Sequence, residues 1–277
     1  MMNARWLAVP PLLFLAVFFL YPIAAMLARS LSGPAGGFSL HTYGDVVSQP
    51  VYFLILANTF RIAAIVTLAC LAIGYPTAYF LTQYAGDRAP VYLAFIAVPY
   101  FTSVLVRTYA WMVLLGRDGL VNHLLVFLHI VDHPIKLLYT DFGVVIGMTY
   151  VLLPYMIIAL YAVMRGIDQT LVRAAAAFGA GPWRAFRHVF LPLSLPGVVG
   201  GCLLVFVIAL GFFVTPALMG GPSDQMIAML IQTAVEQLLN WSLASALAAL
   251  LLAATIVALF FYDRLVGLEK LIGRGAP

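Results

Sequence analysis

Side chains that could perform bond chemistry are few in this sequence of 277 residues and form no catalytic pattern. His129 and His133 are four residues apart and could share a helix face as metal ligands, but no cysteine and no second pair accompanies them. Cys70 and Cys202 lie in apolar runs, which favours buried small side chains over a disulfide. The sequence contains no phosphate-binding Gly-x-x-x-x-Gly-Lys-Ser/Thr loop, no His-Glu-x-x-His and no Gly-x-Ser-x-Gly. We therefore expect no catalytic residue, no bound cofactor and no metal site.

The polar residues with the most regular spacing lie in a segment from about 165 to 195. Asp168 is predicted to cap a helix that runs from Gln169 to Phe178. The run Ala174–Ala177 favours that helix and leaves a smooth surface that another backbone can approach closely. Gly179 suits a helix end with a positive φ angle.

A second short helix is predicted from Pro182 to Val189, with Trp183 and Phe186 on its apolar side. We expect Pro192 and Pro196 to end it and to turn the chain into the next apolar segment. Two functions fit such a helix pair on the residues alone. One is an amphipathic element that binds lipid head groups, and the other is a docking element for a cytoplasmic protein.

The elements around this segment are predicted to be membrane-spanning helices. The sequence is 64% hydrophobic and 9% charged, and its mean hydropathy is +1.06. Lipid cannot satisfy unpaired backbone groups, and the apolar runs are too long for barrel strands, so the fold class is all-α. Six spans are predicted, with the first retained as a helix and not cleaved as a signal peptide. They are approximately 7–28, 54–82, 91–115, 142–164, 196–217 and 243–265.

The distribution of lysine and arginine predicts that both termini and the 165–195 segment face the cytoplasm. The inner connections would then hold Arg5, Arg88, Arg165, Arg173, Arg184, Arg187, Arg264, Lys270 and Arg274. The outer connections would hold only Arg29, Arg117 and Lys136, together with the acidic residues Asp45, Asp118, Asp132, Asp141, Asp224 and Glu236. The modest positive charge therefore reflects membrane topology and does not indicate a nucleic-acid partner.

Two outer loops are predicted to contain short helices, and residues 1–277 are predicted to form a single transmembrane domain. The loop at 116–141 is partly apolar and should contain a helix at the membrane interface. The loop at 218–242 is broken by Gly220-Gly221-Pro222 and should become helical from Met226 to Leu239.

The 165–195 segment resembles the signature of permease subunits of ATP-binding-cassette importers. That signature is Glu-Ala-Ala, three residues, Gly, nine residues and Ile-x-Leu-Pro. Here it falls on Arg173-Ala174-Ala175, on Gly179 and on Val189-Phe190-Leu191-Pro192, with every spacing matched. Its position between the fourth and fifth of six spans also matches.

Other stretches resemble the spermidine/putrescine branch of these permeases, so that the resemblance covers nearly the whole chain. The stretches are Pro99–Trp111 with Leu114-Leu115, Gly119 and Asn122; Asn58-Thr59 with Gly74–Tyr79; and Leu218–Pro222.

The resemblance implies the type I importer fold in a bacterial inner membrane and a set of partner subunits. The partners would be a second homologous permease, two cytoplasmic ATP-binding subunits that bind the ATP, and a periplasmic solute-binding protein. The implied ATPase-coupling residues are Asp168, Arg173, Ala174, Ala175, Gly179, Trp183, Arg184 and Pro192. The family's glutamate is Arg173 here, so either an acidic residue of the ATPase or the nearby Asp168 would compensate.

Charged and aromatic residues near the spans are candidates for the solute path. Arg61 and Arg107 either reach an interface or neighbouring carbonyls, or line the pore. The aromatic candidates could equally be ordinary packing or interface anchors. The candidates are Tyr100, Arg107, Thr108, Tyr109, Trp111, Tyr150 and Tyr155, with Asp224 and Glu236 near the outer mouth.

A polyamine such as spermidine or putrescine is the solute that the resemblance implies. No carboxylate lies deep in a span, which weakens this assignment and keeps opines, amino-acid derivatives and phosphonates open. A secondary transporter would need coupling-ion groups in the spans, and an intramembrane enzyme would need a catalytic constellation there. Neither pattern is present in the sequence, and a structural or sensory subunit is the remaining alternative.

Overall fold

The computed structural model describes residues 9–32 and 37–266, and within these ranges the chain is helical apart from turns, loops and one isolated bridge between Ser32 and Phe38. The predicted inner cations Arg5, Lys270 and Arg274 lie outside the described residues, as do the first residues of the first predicted span.

Twelve helices are labelled here in chain order. They are α1 (Val9–Ser30, with a π-helical turn at Ala16–Leu20), α2 (His41–Ser48), α3 (Pro50–Gln83), α4 (Ala89–Ala97), α5 (Val104–Leu115), α6 (Leu120–Phe127), α7 (Asp141–Met164), α8 (Gln169–Ala177), α9 (Pro182–Leu210, with a π-helical turn at Phe186–Phe190), α10 (Val214–Met219), α11 (Ile227–Glu236) and α12 (Trp241–Val266). Short 3₁₀ turns occupy Gly86–Arg88 and Val98–Phe101.

Six helical segments of the described chain are long and apolar enough to cross a membrane, which confirms the predicted number. They are Val9–Ser30, Pro50–Gln83, Val104–Phe127, Asp141–Met164, Pro182–Leu210 and Trp241–Arg264. Short helices are present where the sequence predicts them in 116–141 and 218–242, as α6 and α11, and α6 also forms the end of the third of these apolar segments.

The third predicted span, 91–115, was wrong as one continuous helix. The chain leaves α4 at Ala97, makes a 3₁₀ turn through Pro99 and is extended at Thr102 (φ −94°, ψ 147°). The Ser103 side chain then accepts a hydrogen bond from the Leu105 N–H and starts α5. An apolar stretch with few charges hides such a break, because hydropathy does not register the cap that restarts a helix.

The fold contains two compact units, of which α3 and α12 each continue from one to the other. One unit contains residues up to Ala57 together with Met226–Val257. Its core is built on Val46, Ile227 and Leu247, with partly buried apolar side chains of α3 and α12 around them. The Arg29 guanidinium lies 5.9 Å from the centre of the Trp241 ring in the same unit.

The second unit contains Asn58–Gln225 and the described residues that follow Val257, and its centre is the packing of α7 against α9. Met148, Leu152, Met156, Leu160 and Met164 of α7 are completely buried. Glycines of α9 allow the close approach. A Cβ atom at Gly197 would lie 2.9 Å from the Val163 Cβ, and one at Gly201 would lie 2.9 Å from the Met156 Sδ. Small residues serve the same purpose at helix contacts in membranes generally.

Candidate functional sites

Asp168 caps α8 as the sequence predicts. Its Oδ1 accepts a hydrogen bond from the Thr170 N–H at 2.8 Å, and its Oδ2 accepts one from the Thr170 hydroxyl at 2.7 Å. These two hydrogen bonds hold the pKa of the Asp168 carboxyl below its ordinary value, because they favour the charged form. The carboxylate also places negative charge at the positive end of the helix dipole.

The other end of α8 is closed by a reverse turn at Gly179, again as predicted. Gly179 has a φ angle of +84°. Its N–H donates to the Ala176 carbonyl at 3.0 Å, and the Ala180 N–H donates to the Ala175 carbonyl at 3.0 Å. This pair of bonds is the Schellman arrangement, which needs a residue that tolerates positive φ at the corner. The spacing from Ala175 to Gly179 is therefore the spacing of this helix ending.

The predicted stop of the next helix at Pro192 and Pro196 was wrong, because α9 continues without a break to Leu210. A π-helical turn lies at Phe186–Phe190, where the Leu191 N–H donates to the Phe186 carbonyl. The wider turn gives the Pro192 ring room beside the preceding carbonyls, so the proline is accommodated inside the helix.

An aromatic cluster of Tyr75, Tyr79, Phe186 and Phe190 joins the end of α3 to the start of α9. The Tyr79 ring centre lies 5.3 Å from that of Phe186 and 4.9 Å from that of Phe190, both edge-on. The hydroxyls of Tyr75 and Ser194 are 2.8 Å apart. Sequence reasoning missed these contacts, because Tyr75 and Tyr79 lie more than a hundred residues before their partners.

The exposed face of the 165–195 segment is apolar in the middle and basic around it. Phe178 is 93% exposed, and Trp183 is 69% exposed. Arg173, Arg184 and Arg187 are also exposed, and the two ion pairs found among the described residues involve none of them. An exposed pair of large aromatic side chains with cations at its margin suits contact with an acidic surface.

Three residues in or beside the predicted solute path line one cavity of about 340 Å³. Tyr100, Arg107 and Tyr155 form part of its wall, together with the break between α9 and α10. The Arg107 guanidinium lies 5.7 Å from the Tyr100 ring centre, and the Tyr100 and Tyr155 ring centres are 4.9 Å apart. Sequence reasoning proposed Tyr100, Arg107 and Tyr155 for the path, but not the helix break at Gly211–Phe213.

The other path candidates are distributed more widely. Trp111 and Tyr150 pack edge-on at 5.5 Å, and Tyr109 is exposed. Thr108 is buried, where its hydroxyl donates to the Val104 carbonyl at 2.8 Å and lies 3.3 Å from the Thr215 hydroxyl. Glu236 belongs to the first unit, where its carboxylate accepts a hydrogen bond from Gln232.

A polar network that sequence reasoning did not assemble joins α3, α7 and the 220–225 loop. Arg61 pairs with the Asp141 carboxylate and donates to the Asn58 Oδ1 at 3.1 Å. Asn58 donates in turn to the Gln225 carbonyl at 3.0 Å. Arg61 is therefore held by side chains of its own unit, and its role in the solute path stays a prediction.

Asp224 is almost completely buried in the same loop, at 2% exposure. Burial by itself raises the pKa of its carboxyl, but hydrogen bonds, led by that of the Gly221 N–H at 2.7 Å, outweigh burial and leave the pKa below its ordinary value. The Gly-Gly-Pro turn before Asp224 positions this N–H donor.

The possible shared helix face of His129 and His133 is wrong. Helix α6 ends at Phe127, and His129 follows in the left-handed region with φ +53°. Within residues 9–32 and 37–266, no group of three or more His, Cys, Asp or Glu side chains is placed to hold a metal ion.

Three comparisons place this architecture among known proteins. Residues 4–268 match the family described as "Binding-protein-dependent transport system inner membrane component". The spermidine/putrescine transport system permease protein PotB of Escherichia coli K12 is 34% identical over 227 residues, which cover 82% of each chain. The putative 2-aminoethylphosphonate transport system permease protein PhnU of Salmonella typhimurium LT2 is 32% identical over 208 residues, which cover 72% of this chain and 71% of PhnU.

The fold is also found in a bacterial ABC transporter involved in the import of the acidic polysaccharide alginate. One chain of that crystal structure aligns with a TM-score of 0.75 at 16% identity, covering 95% of this chain and 94% of the other.

Proposed function

Because the chain belongs to the family of binding-protein-dependent transport system inner membrane components, we propose that its helices form one half of the solute path of an ATP-driven importer. The chain is a multi-pass inner-membrane permease subunit and performs no catalysis itself. Membership implies a solute-binding protein and an ATPase as partners. A second, homologous permease would supply the other half of the path.

The proposed contact with the ATPase is the exposed face of the 165–195 segment. Support comes from its rigidity, since Asp168 closes one end of α8 and the turn at Gly179 closes the other. The exposed Phe178 and Trp183 would supply the apolar contact. Arg173 would pair with an acidic residue of the ATPase, because neither ion pair found among the described residues involves it.

This contact requires the segment to lie in the cytoplasm, as the distribution of lysine and arginine predicts. Motion of the ATPase would reach the spans through the aromatic cluster of Tyr75, Tyr79, Phe186 and Phe190. Helix α9 runs from Pro182 to Leu210 without a break, so a displacement of the segment would be carried directly into a span.

For the solute, we propose a small molecule that carries an aliphatic amine. Relatives of this chain are named for spermidine and putrescine and for 2-aminoethylphosphonate, and an amine is the group that these solutes share. A polyamine is the candidate supported by the relative of greater identity and coverage. Opines, amino-acid derivatives and phosphonates are the alternatives.

ATPase activity of the reconstituted complex of two permeases and two ATPase subunits, with and without loaded binding protein, tests the importer function. We expect loaded binding protein to stimulate hydrolysis and Gly179→Val to reduce the stimulation strongly, because a β-branched residue disfavours positive φ. Gly200→Ala is the matched control, because a Cβ atom there meets no other atom within 4 Å. An ATPase activity that changes neither with the loaded binding protein nor in Gly179→Val would refute the proposal.

A further inference from the structure

Arg107 lies on the wall of the 340 Å³ cavity of the second unit. Its Nε and Nη1 atoms are buried and have no hydrogen-bond partner among the described residues. A guanidinium carries five N–H donors and does not lose its charge in proteins. Burying charged donors without an acceptor costs more than the loss of an ordinary hydrogen bond. The group is therefore poised to bind an acceptor that enters the cavity.

The rest of the cavity wall supplies no negative charge. None of its lining residues is an aspartate or a glutamate. Val104, the first residue of α5, also lies on the wall, so the cavity adjoins the positive end of that helix dipole. The Tyr100 ring beside the guanidinium offers a π face, which leaves the N–H edges of Arg107 free for another partner.

We propose that this cavity binds the anionic end group of the transported solute, a carboxylate, a phosphonate or a related oxyanion, through Arg107. The proposal rests on the importer function proposed above and narrows its solute to one that carries an oxyanion as well as an amine. The planar guanidinium matches such a group with two parallel hydrogen bonds. The aromatic rings of Tyr155 and Phe212, which also line the cavity, would then be available to the amine.

A polyamine fits this wall poorly. Its ammonium groups would lie close to the Arg107 charge without a carboxylate to offset the repulsion, and like charges repel strongly where water is excluded. A phospholipid head group could supply the same oxyanion chemistry, so the experiment separates a lipid from a solute.

The test is equilibrium dialysis of the complete transporter complex in phosphatidylcholine nanodiscs, without binding protein. The probes are labelled 2-aminoethylphosphonate and labelled putrescine. Both carry an aliphatic amine, and only the phosphonate carries an oxyanion. We expect the phosphonate to bind and putrescine to bind at least about tenfold more weakly. Arg107→Gln should weaken phosphonate binding by about tenfold to a hundredfold, the usual range for a charged hydrogen bond.

Arg107→Lys keeps the charge but loses the two parallel hydrogen bonds, so its phosphonate affinity should lie between those of the wild type and Arg107→Gln. That order distinguishes binding from a folding defect. Arg117→Gln, a charge removal outside the cavity, should change nothing. Equal or stronger binding of putrescine, absence of phosphonate binding, or an unchanged affinity in Arg107→Gln would each overturn the proposal. In nanodiscs with phosphatidylglycerol, loss of phosphonate affinity would also overturn it, since a lipid would then be the occupant.

ATPase stimulation by loaded binding protein separates this proposal from the function on which it rests. If stimulation occurs but phosphonate binding ignores Arg107, only the anion site fails. If no loaded binding protein stimulates hydrolysis, the importer function itself fails.

Discussion

The backbone N–H of Ala180 donates to the carbonyl of Ala175 at 3.0 Å, and this bond can form only because Gly179 between them has a φ angle of +84°. Space does not restrict the position, since a Cβ atom on Gly179 would meet no other atom within 4 Å. The requirement for glycine is therefore one of backbone conformation.

A substitution at Gly179 should uncouple ATP hydrolysis from transport, and the effect should grow with the energetic cost of a positive φ angle for the new residue. Gly179→Val should cost roughly 1–2 kcal/mol at this turn and reduce ATPase stimulation strongly, whereas Gly179→Asn should lose little, because asparagine tolerates positive φ. The measurement is the stimulation ratio of the reconstituted complex. Equal losses in the two variants would mean that the side chain, and not the backbone, matters here.

The stability of helix α8 should depend on pH through ionisation of the Asp168 carboxyl. Its pKa is lowered by the hydrogen bonds from Thr170, so the capped helix is more stable in the ionised state. This stabilisation is fully present above the carboxyl's ordinary pKa and is lost as the pH falls through the lowered value. Amide exchange across residues 169–177, corrected for the intrinsic rate, should therefore rise at acid pH. Asp168→Asn should remove the dependence; a wild-type helix indifferent to acid would contradict this.

Local chemistry explains why both ends of α8 were predictable from the sequence. Asp168 acts on Thr170, two residues away, and Gly179 closes a turn begun at Ala175, so each signal lies within a few neighbouring residues. The continuation of α9 through Pro192 was not predictable in the same way. A proline usually ends a helix, and nothing in the local sequence announces the π-helical turn that accommodates it.

Long-range partners account for most of what sequence reasoning missed at the candidate sites. Asp141 lies eighty residues after Arg61, and its sequence context predicts only an acidic residue in an outer loop. The helix break at Gly211–Phe213 carries no charge or motif, so it could not be joined to Arg107 before the fold was known. The polar side chains could be recognised in the sequence, but which of them lie together depends on how α3, α5, α7 and α9 pack.

The contact of α9 with α7 predicts a graded response to added methyl groups. Gly197→Ala should lower the thermal midpoint of unfolding in detergent most, by an amount equivalent to about 1–3 kcal/mol, because its Cβ would lie 2.9 Å from the branched Cβ of Val163. Gly201→Ala should cost less, since its neighbour is the flexible Met156 side chain. Gly200→Ala meets open space and should leave the midpoint unchanged or slightly raised. A loss in Gly200→Ala equal to that in Gly197→Ala would indicate a requirement for helix flexibility instead of close packing.

The Arg61–Asp141 pair predicts a non-additive double-mutant cycle. Both side chains are about half exposed, at 53% and 43%, so the pair itself should contribute only about 0.2–1 kcal/mol, less at high salt. Arg61→Gln should nevertheless be the more damaging single change, because it removes the cation that offsets the charges of the neighbouring Asp141 and Asp224 carboxylates. Adding Asp141→Asn to Arg61→Gln removes one of the two negative charges and should restore part of the lost stability.

Denaturation midpoints of the wild type, the two single variants and the double variant, at low and high salt, measure the coupling directly. Strictly additive losses that do not change with salt would show that Arg61 stabilises α3 through Asn58 alone.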